Sequence, residues 1–266
     1  MEKKVICLLV VSCLLAGCQC RQGSTPVEAV APLAAEAAFV PVFSAEPIPA
    51  EVEARMRGVS YPEHCEIKLS DLRYLRLSYI DFDGREQVGE MVCNKAIADD
   101  LVAIFRELFE ARYPIRSIRL IDDFGGDDDA SMRADNTSCF NYRKKVGVRE
   151  LSKHALGLAV DVNPFENPYV RPSRIRPAEA KEYADRTRDF PHKIDKSDLC
   201  YQLFRAHGFA WGGTWRSVQD YQHFEKEIIF ASWNSSTTFP KSWKSPRSPG
   251  ISCSRTGRRF PAWRTS

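Results

Sequence analysis

Apolar and polar residues alternate along two stretches that flank a turn. Leu75, Leu77 and Tyr79 alternate with polar or charged residues, and a return stretch runs from Val88 to Val92. The pair Asp83-Gly84 lies between the stretches, and this dipeptide favours a tight hairpin turn. The pattern therefore predicts a β-hairpin near the start of the folded part, which we expect to begin near Val59.

Helical spacing replaces the alternation after this hairpin. Apolar residues recur three and four positions apart over 97–108, Asn94 is a residue type that caps helices, and Pro114 ends the pattern. A second helix is predicted from about Ser197 to His207, where Gly208 follows.

Strands are predicted on either side of that second helix. Residues 115–122 form an apolar stretch typical of a strand, and a last apolar strand is expected within residues 209–230.

An acidic run lies between 122 and 129 but lacks the spacing and the terminal glutamate of a calcium loop. We expect that run to be a solvated loop near the rim of a cleft.

The amino terminus carries a targeting signal. Two lysines precede an apolar run that is too short for a comfortable transmembrane helix, and Leu-Ala-Gly-Cys follows at 15–18. This ending resembles the bacterial lipoprotein processing box, which implies cleavage before Cys18 and lipidation of its thiol. An ordinary secretory signal cut near Ala16 is the alternative. Both predict a protein that works outside the cytoplasm. Lipidation would anchor it in the cell envelope, to a membrane facing the periplasm or the cell exterior.

Composition divides the rest of the chain into three parts. Residues 19–58 are rich in Ala, Pro, Val and Glu and are predicted to be a flexible tether. The folded domain is expected at 59–230, and a basic tail at 231–266 is predicted to be disordered.

The net charge is +3, yet no acidic residue follows Glu227, so the positive charge is concentrated in the tail. This distribution argues against nucleic-acid binding by the folded domain. We expect the protein to be a monomer.

Six cysteines would remain after processing and lipidation. None of them forms a Cys-x-x-Cys pair, which argues against a cysteine zinc ribbon, and disulfides are allowed in this compartment. The sequence leaves their pairing open among Cys20, Cys65, Cys93, Cys139, Cys200 and Cys253.

Candidate chemistry is concentrated at two histidines with nearby aspartates. His154 precedes Asp161 by seven residues, and His223 follows Asp220 by three. Two imidazoles and one carboxylate complete the protein ligand set of a catalytic zinc, and a further carboxylate would take a proton from water. Histidines that are hydrogen-bonded in a core would explain the same residues. If His154 and Asp161 share an atom, the chain must bend between them, and Gly157 permits a bend.

The surrounding motifs resemble those of a known family. Ser152-x-His154-x-x-Gly157-x-Ala159-x-Asp161 is followed by Gly208-Phe209-x-Trp211-Gly212-Gly213-x-Trp215 and then by Asp220-x-x-His223. In this order the motifs resemble the M15 family of zinc D-alanyl-D-alanine carboxypeptidases and related peptidoglycan peptidases, over roughly residues 70–228. The resemblance implies an α+β fold, in which helices pack on a small antiparallel sheet and a zinc site lies at the sheet face.

The resemblance also implies roles for individual residues. His154, Asp161 and His223 would bind Zn²⁺, and Asp220 would be the general base and acid. Ser152 matches a position that contacts substrate in some members. The family uses an arginine upstream of the first ligand to polarise the scissile carbonyl. Arg143 is the candidate for this role, and Arg133 is the alternative. Tryptophan residues 211 and 215 would either line a substrate groove or pack beneath the site.

The function implied is zinc-dependent hydrolysis of peptidoglycan stem peptides, with D-alanyl-D-alanine carboxypeptidase activity as the leading expectation. Two alternatives stay open. One is a catalytically silent envelope lipoprotein that binds peptidoglycan, and the other is a zinc endopeptidase or amidase that cuts a different cell-wall bond.

Overall fold

The computed structural model describes residues 38–143 and 150–228, and these form a mixed α+β fold with small antiparallel sheets, as predicted. The strands in these ranges are β1 Phe43–Glu46, β2 Leu72–Ile80, β3 Glu86–Asn94, β4 Ser117–Ile118, β5 Asn136–Thr137, β6 Ala159–Asp161, β7 Tyr169–Arg171, β8 Arg174–Arg176, β9 Ala210–Trp211, β10 Gln219–Asp220 and β11 His223–Glu225. The α-helices there are α1 Ala50–Met56, α2 Ala98–Glu110, α3 Asp128–Arg133 and α4 Leu199–Ala206. Short 3-10 helices lie at Leu69–Asp71, Ile121–Phe124, His154–Leu156, Ala178–Ala184 and Gly212–Thr214.

Several predictions concern residues outside the described ranges. These are the signal at 1–18 with Cys18, the tether up to residue 37, and the tail at 231–266. Among the described residues, no helix has the length and apolar character needed to cross a membrane.

The predicted hairpin is confirmed as the pair β2–β3. The strands are antiparallel, with Tyr74 opposite Val92, and β1 adds a third strand to the edge of β2. Helix α2 covers one face of this sheet with fully buried apolar side chains at positions 101, 104, 105 and 108. Burial of these side chains along one helical stripe is the main attachment of the helix to the sheet.

The folded part starts earlier than the sequence predicts. Strand β1 and helix α1 both lie within the expected tether, which is therefore too long at its carboxyl end. Val52 and Met56 of α1 are buried in a second apolar cluster with Leu72 and Phe140. Only these two buried residues mark the helix in a segment rich in Ala, Pro and Glu, so the sequence pattern is too weak to reveal it.

Asn94 does not cap α2 as predicted. Helix α2 begins at Ala98 with Ile97 at the cap position, whereas Asn94 ends β3. The Asn94 side-chain amide donates to Leu156 O at 3.1 Å, and its backbone N–H donates to Gly157 O at 2.9 Å. Asn94 therefore attaches the end of β3 to the turn that follows His154.

The region between the two predicted helices is less regular than expected. The strand predicted at 115–122 is reduced to β4, because the Asn136 side chain accepts from Arg119 N at 2.9 Å and ends the ladder. Part of the acidic run forms α3 instead of a loop, because the Asp127 carboxylate accepts from the N–H groups of the first helical turn.

The second half of the domain carries two three-stranded sheets, with strand orders β6-β11-β9 and β10-β7-β8. Phe224 in the middle of β11 is fully buried and stacks on Phe204 of α4, with ring centroids 4.3 Å apart. Because side chains alternate along a strand, this contact turns His223 and Glu225 to the opposite face.

None of the four cysteines in the described ranges forms a disulfide. Cys93, Cys139 and Cys200 are buried and Cys65 is partly exposed, and all four are free thiols. Burial raises the pKa of Cys65 to about 11, so this thiol is protonated at neutral pH. Cys20 and Cys253 lie outside the described residues.

Asp135, two residues after the end of α3, and Glu166 form a carboxyl pair. Asp135 Oδ2 and Glu166 Oε2 are both buried and lack a hydrogen-bond donor among the described residues. Two adjacent carboxylates satisfy each other only when they share a proton. Burial, reinforced by the neighbouring Asp135 charge, raises the pKa of Glu166 from 4.5 to about 8.

We expect Glu166→Gln to stabilise the protein at alkaline pH. Between about pH 4.5 and about pH 8 the folded state holds a proton that the unfolded state has released, so the free energy of unfolding falls as the pH rises through this window. An amide cannot ionise, so the variant should melt about 2–4 °C higher than wild type near pH 9 and show little difference near pH 5. Thermal unfolding across this range, with exposed Glu182→Gln as the control, tests this; a wild-type slope in Glu166→Gln would contradict it.

Candidate metal centre

His154 and Asp161 are brought together by a bend. His154 opens the 3-10 helix His154–Leu156, Gly157 ends it with φ +65°, and the chain then enters β6, which ends at Asp161. A Cβ atom at Gly157 would lie 2.6 Å from Asn94 N, so a larger residue would meet both backbone strain and a clash with β3. The glycine therefore permits the turn and its close packing on the first sheet.

Strand pairing adds the second histidine. In the antiparallel pair β6–β11, His223 lies directly opposite Asp161, where Cβ atoms are about 5 Å apart. Asp161 is also held from its other side, since its backbone N–H donates to Ser138 O at 2.9 Å.

Three side-chain atoms converge as a result. His154 Nε2 lies 3.1 Å from His223 Nδ1 and 3.2 Å from Asp161 Oδ1, and His223 Nδ1 lies 3.0 Å from the same oxygen. Both histidines are buried, and Asp161 is partly exposed. Among the described residues this is the one group of three or more such side chains with ligand atoms close enough to hold a metal ion.

The donor set fits a tetrahedral divalent metal. Ligands about 2.1 Å from a tetrahedral ion lie about 3.4 Å apart, close to the triangle of distances above. His154 Nδ1 lies 2.7 Å from Cys139 O, a pure acceptor, so Nδ1 carries the hydrogen and Nε2 presents a lone pair. His223 Nε2 lies 3.1 Å from Glu225 Oε2, which leaves Nδ1 free in the same way. The lone pairs of His154 Nε2 and His223 Nδ1 therefore face each other beside the Asp161 carboxylate. This arrangement favours a cation bound by all three groups.

The local electrostatics favour positive charge. Burial alone would lower the pKa of His223, but hydrogen bonds to Asp161 and Glu225 outweigh it and raise that pKa to about 10. Burial alone would raise the pKa of Asp161, but the two histidines outweigh it and hold that pKa well below its ordinary value. Asp161 is therefore ionised at any physiological pH and is ready to act as a ligand.

Asp220 lies beside the three converging groups, on β10. Its Oδ1 accepts from Gln222 Nε2 at 3.2 Å, and burial raises its pKa to about 6. A Cβ atom at Gly212 would lie 2.6 Å from Asp220 O and 3.3 Å from His223 Cβ, so this glycine allows the strand and the site to approach closely. A carboxyl with a pKa close to neutral is suited to accept and return a proton.

The structure separates the two arginine candidates. Arg143 forms an ion pair with Asp128 and lines a cavity of about 450 Å³ that the three metal-binding candidates and Asp220 also line. Arg133, at the end of α3, does not line this cavity. Arg143 Nε is buried and has no acceptor among the described residues.

The other predicted substrate contacts differ in position. Ser152 lines the cavity, and its Oγ also accepts from Ala155 N at 3.0 Å, which supports the turn at His154. Trp211 is buried in the core and donates from Nε1 to Tyr221 O at 2.8 Å, and it does not line the cavity. Trp215 does line it, with its ring 5.3 Å from that of His223. The contact between Trp211 and substrate stays a prediction, and the position of Trp211 in the core does not support it.

Sequence reasoning missed two features of the cavity. Glu225 contacts His223, and it lies two residues further along the same strand, a spacing that puts both on one face. Three arginines of the hairpin β7–β8 also line the cavity. They alternate with Val170 and Ile175 around a Pro-Ser turn, so a period of two could have revealed them.

We expect Glu225→Gln to weaken metal binding without abolishing it. The carboxylate accepts from His223 Nε2 and fixes the ring so that Nδ1 faces the other ligands, and loss of such a partner typically costs about 10–100-fold in metal affinity. Competition with a chromogenic chelator measures the affinity, and Glu107→Gln on the exposed side of α2 is the control. Equal affinities of Glu225→Gln and wild type would show that Glu225 does not orient the ligand.

One protein family matches the segment of the chain that contains these residues. Residues 146–226 match the model of an M15 peptidase family described as D-alanyl-D-alanine carboxypeptidase. The matched segment contains His154, Asp161, Asp220 and His223, whereas Arg143 lies outside it. No curated protein and no solved structure matches the chain. The family match confirms the resemblance to M15 peptidases and supports a metallopeptidase that acts on peptidoglycan-like substrates.

Proposed function

We propose that this protein is a zinc-dependent D,D-carboxypeptidase that removes the terminal D-alanine from peptidoglycan stem peptides. The observation that carries the proposal is the convergence of His154 Nε2, His223 Nδ1 and Asp161 Oδ1 within 3.2 Å of one another, in a cavity that Asp220 also lines. A protein that only binds peptide has no need of a second, partly buried carboxylate beside the three ligands. Asp220 therefore favours an enzyme over a silent binding protein.

His154, Asp161 and His223 would hold the metal. The chemistry that zinc supplies at such a site is Lewis-acid activation of water near neutral pH. Asp220 takes the proton of the attacking water and later returns it to the leaving amine. The Arg143 guanidinium stabilises the negative charge that develops on the carbonyl oxygen. Ser152 and Trp215 line the cavity and would contact the bound peptide.

Mass spectrometry of digested muropeptides tests the proposal. The full chain, supplied with zinc, should release a single alanine from pentapeptide stems, and a chelator should stop the reaction. Cleavage within the stem would identify an endopeptidase, and release of the whole peptide from the sugar would identify an amidase. No mass change with zinc present would contradict an enzymatic function and leave the peptidoglycan-binding alternative.

We propose further that the protein is an envelope lipoprotein anchored through lipidated Cys18. The apolar run and the Leu-Ala-Gly-Cys box support this location. Cell fractionation should find the wild-type protein with membranes and Cys18→Ser in the soluble envelope fraction. Equal membrane association of the two would contradict lipid anchoring at this residue.

A further inference from the structure

The hairpin β7–β8 presents positive charge to the cavity. Its strands are joined by Pro172 and Ser173, and the register puts Arg171 opposite Arg174 and Tyr169 opposite Arg176. These four side chains line the cavity that contains the metal-binding candidates. We call the three arginines at 171, 174 and 176 the arginine face.

The charge of the arginine face is only partly compensated. Arg176 Nε lies 2.8 Å from Asp129 Oδ1, and Arg174 lies 4.0 Å from the other oxygen of the same carboxylate. Arg171 is exposed and has no carboxylate within ion-pair distance in residues 38–143 and 150–228. Like charges directly opposite each other destabilise a strand pair. An anion bound between Arg171 and Arg174 would remove this repulsion.

The arginine face lies close to the proposed chemistry. Strand β10 pairs with β7, and Asp220 lies opposite Tyr169. Arg171 is two residues further along β7, which corresponds to about 7 Å. An extended peptide spans at most about 3.6 Å per residue. A group bound by Arg171 would therefore lie within about two residues of the bond that Asp220 serves.

We propose that the arginine face is a subsite for a substrate carboxylate located within two residues of the scissile bond, with Arg171 as the specificity-determining residue. Guanidinium groups bind carboxylates through two parallel hydrogen bonds. The ion pair with Asp129 holds the third arginine, Arg176, in the arginine face. The carboxylate belongs either to the free carboxyl terminus of the peptide or to an acidic side chain next to the scissile bond. This inference rests on the proposed peptidase function.

Two matched peptide pairs distinguish these sources. The first pair ends in D-alanyl-D-alanine with either a free carboxylate or a carboxyl-terminal amide, and the second carries either a carboxylate or a carboxamide on the side chain next to the scissile bond. The zinc-loaded wild-type chain should prefer the carboxylate member of at least one pair by about tenfold in kcat/KM. In Arg171→Gln the ratio of kcat/KM between the two members of that pair should fall toward one, mainly through a change in KM. The control Arg188→Gln replaces an exposed arginine outside the cavity and should keep the wild-type ratio. Equal ratios in wild type and Arg171→Gln for both pairs would overturn the proposal.

Calorimetric binding of the same four peptides separates this inference from the proposed function. If the wild-type chain hydrolyses none of them, the peptidase proposal fails, and binding alone then tests the arginine face. Carboxylate-dependent affinity that is lost in Arg171→Gln supports the subsite. Affinity that is unchanged in Arg171→Gln, or absent from the wild-type chain, overturns it.

Discussion

Asp220→Asn should lower kcat by about 10²–10⁴-fold while the protein retains one zinc per chain. Asparagine has the shape of aspartate and can still accept from Gln222 Nε2, but its amide cannot take a proton from water. Since Asp220 is not one of the three converging ligands, its replacement leaves the metal site intact. Steady-state kinetics on a D-alanyl-D-alanine peptide and elemental analysis of the same sample measure the two quantities.

The matched control for this experiment is Asp189→Asn, which replaces an exposed aspartate that does not line the cavity and should retain wild-type kcat. Wild-type kcat in zinc-loaded Asp220→Asn would show that another group moves the proton. Loss of zinc from Asp220→Asn would show instead that this carboxylate is a ligand.

His223→Ala should abolish both zinc binding and activity. His223 supplies the ligand atom Nδ1 and is the only one of the three candidates on β11, so its removal leaves an incomplete donor set. The variant should contain less than about one tenth of a zinc per chain, and added zinc should no longer raise its melting temperature, because ligand binding stabilises only a state that can bind.

His207→Ala is the control for the loss of a histidine. His207 lies at the end of α4, where Nδ1 contacts Asp100 at 3.1 Å, and it does not line the cavity. This variant should keep one zinc per chain and wild-type kcat. Full zinc content in His223→Ala would contradict the proposed ligand set.

The sequence predicts the regular framework of this fold because its periodicity is strong there. The Asp-Gly turn and the flanking alternation define β2–β3, and the apolar stripe over 97–108 defines α2. Elements of two or three residues are a different case, since β4, β6 and β11 are too short to show a period. Their positions depend on tertiary contacts such as the stacking of Phe224 on Phe204.

The candidate site is likewise predicted from the sequence only in part. The sequence itself singles out His154, Asp161, Asp220 and His223, and Gly157 permits the bend that a shared atom would need. The resemblance then implies which of these residues bind the metal and which moves the proton. The sequence leaves Arg133 open as an alternative to Arg143, because the periodicity does not show that the end of α3 carries Arg133 away from the cavity. Trp211 and Trp215 are likewise equivalent by spacing, yet one packs in the core and the other lines the cavity.

The most direct test of the account is an anomalous diffraction map recorded at the zinc edge from crystals of the zinc-loaded protein. The proposed ligand set predicts one strong peak within about 2.0–2.2 Å of His154 Nε2, His223 Nδ1 and a carboxylate oxygen of Asp161. A peak at other side chains, or no peak at saturating zinc, would contradict it.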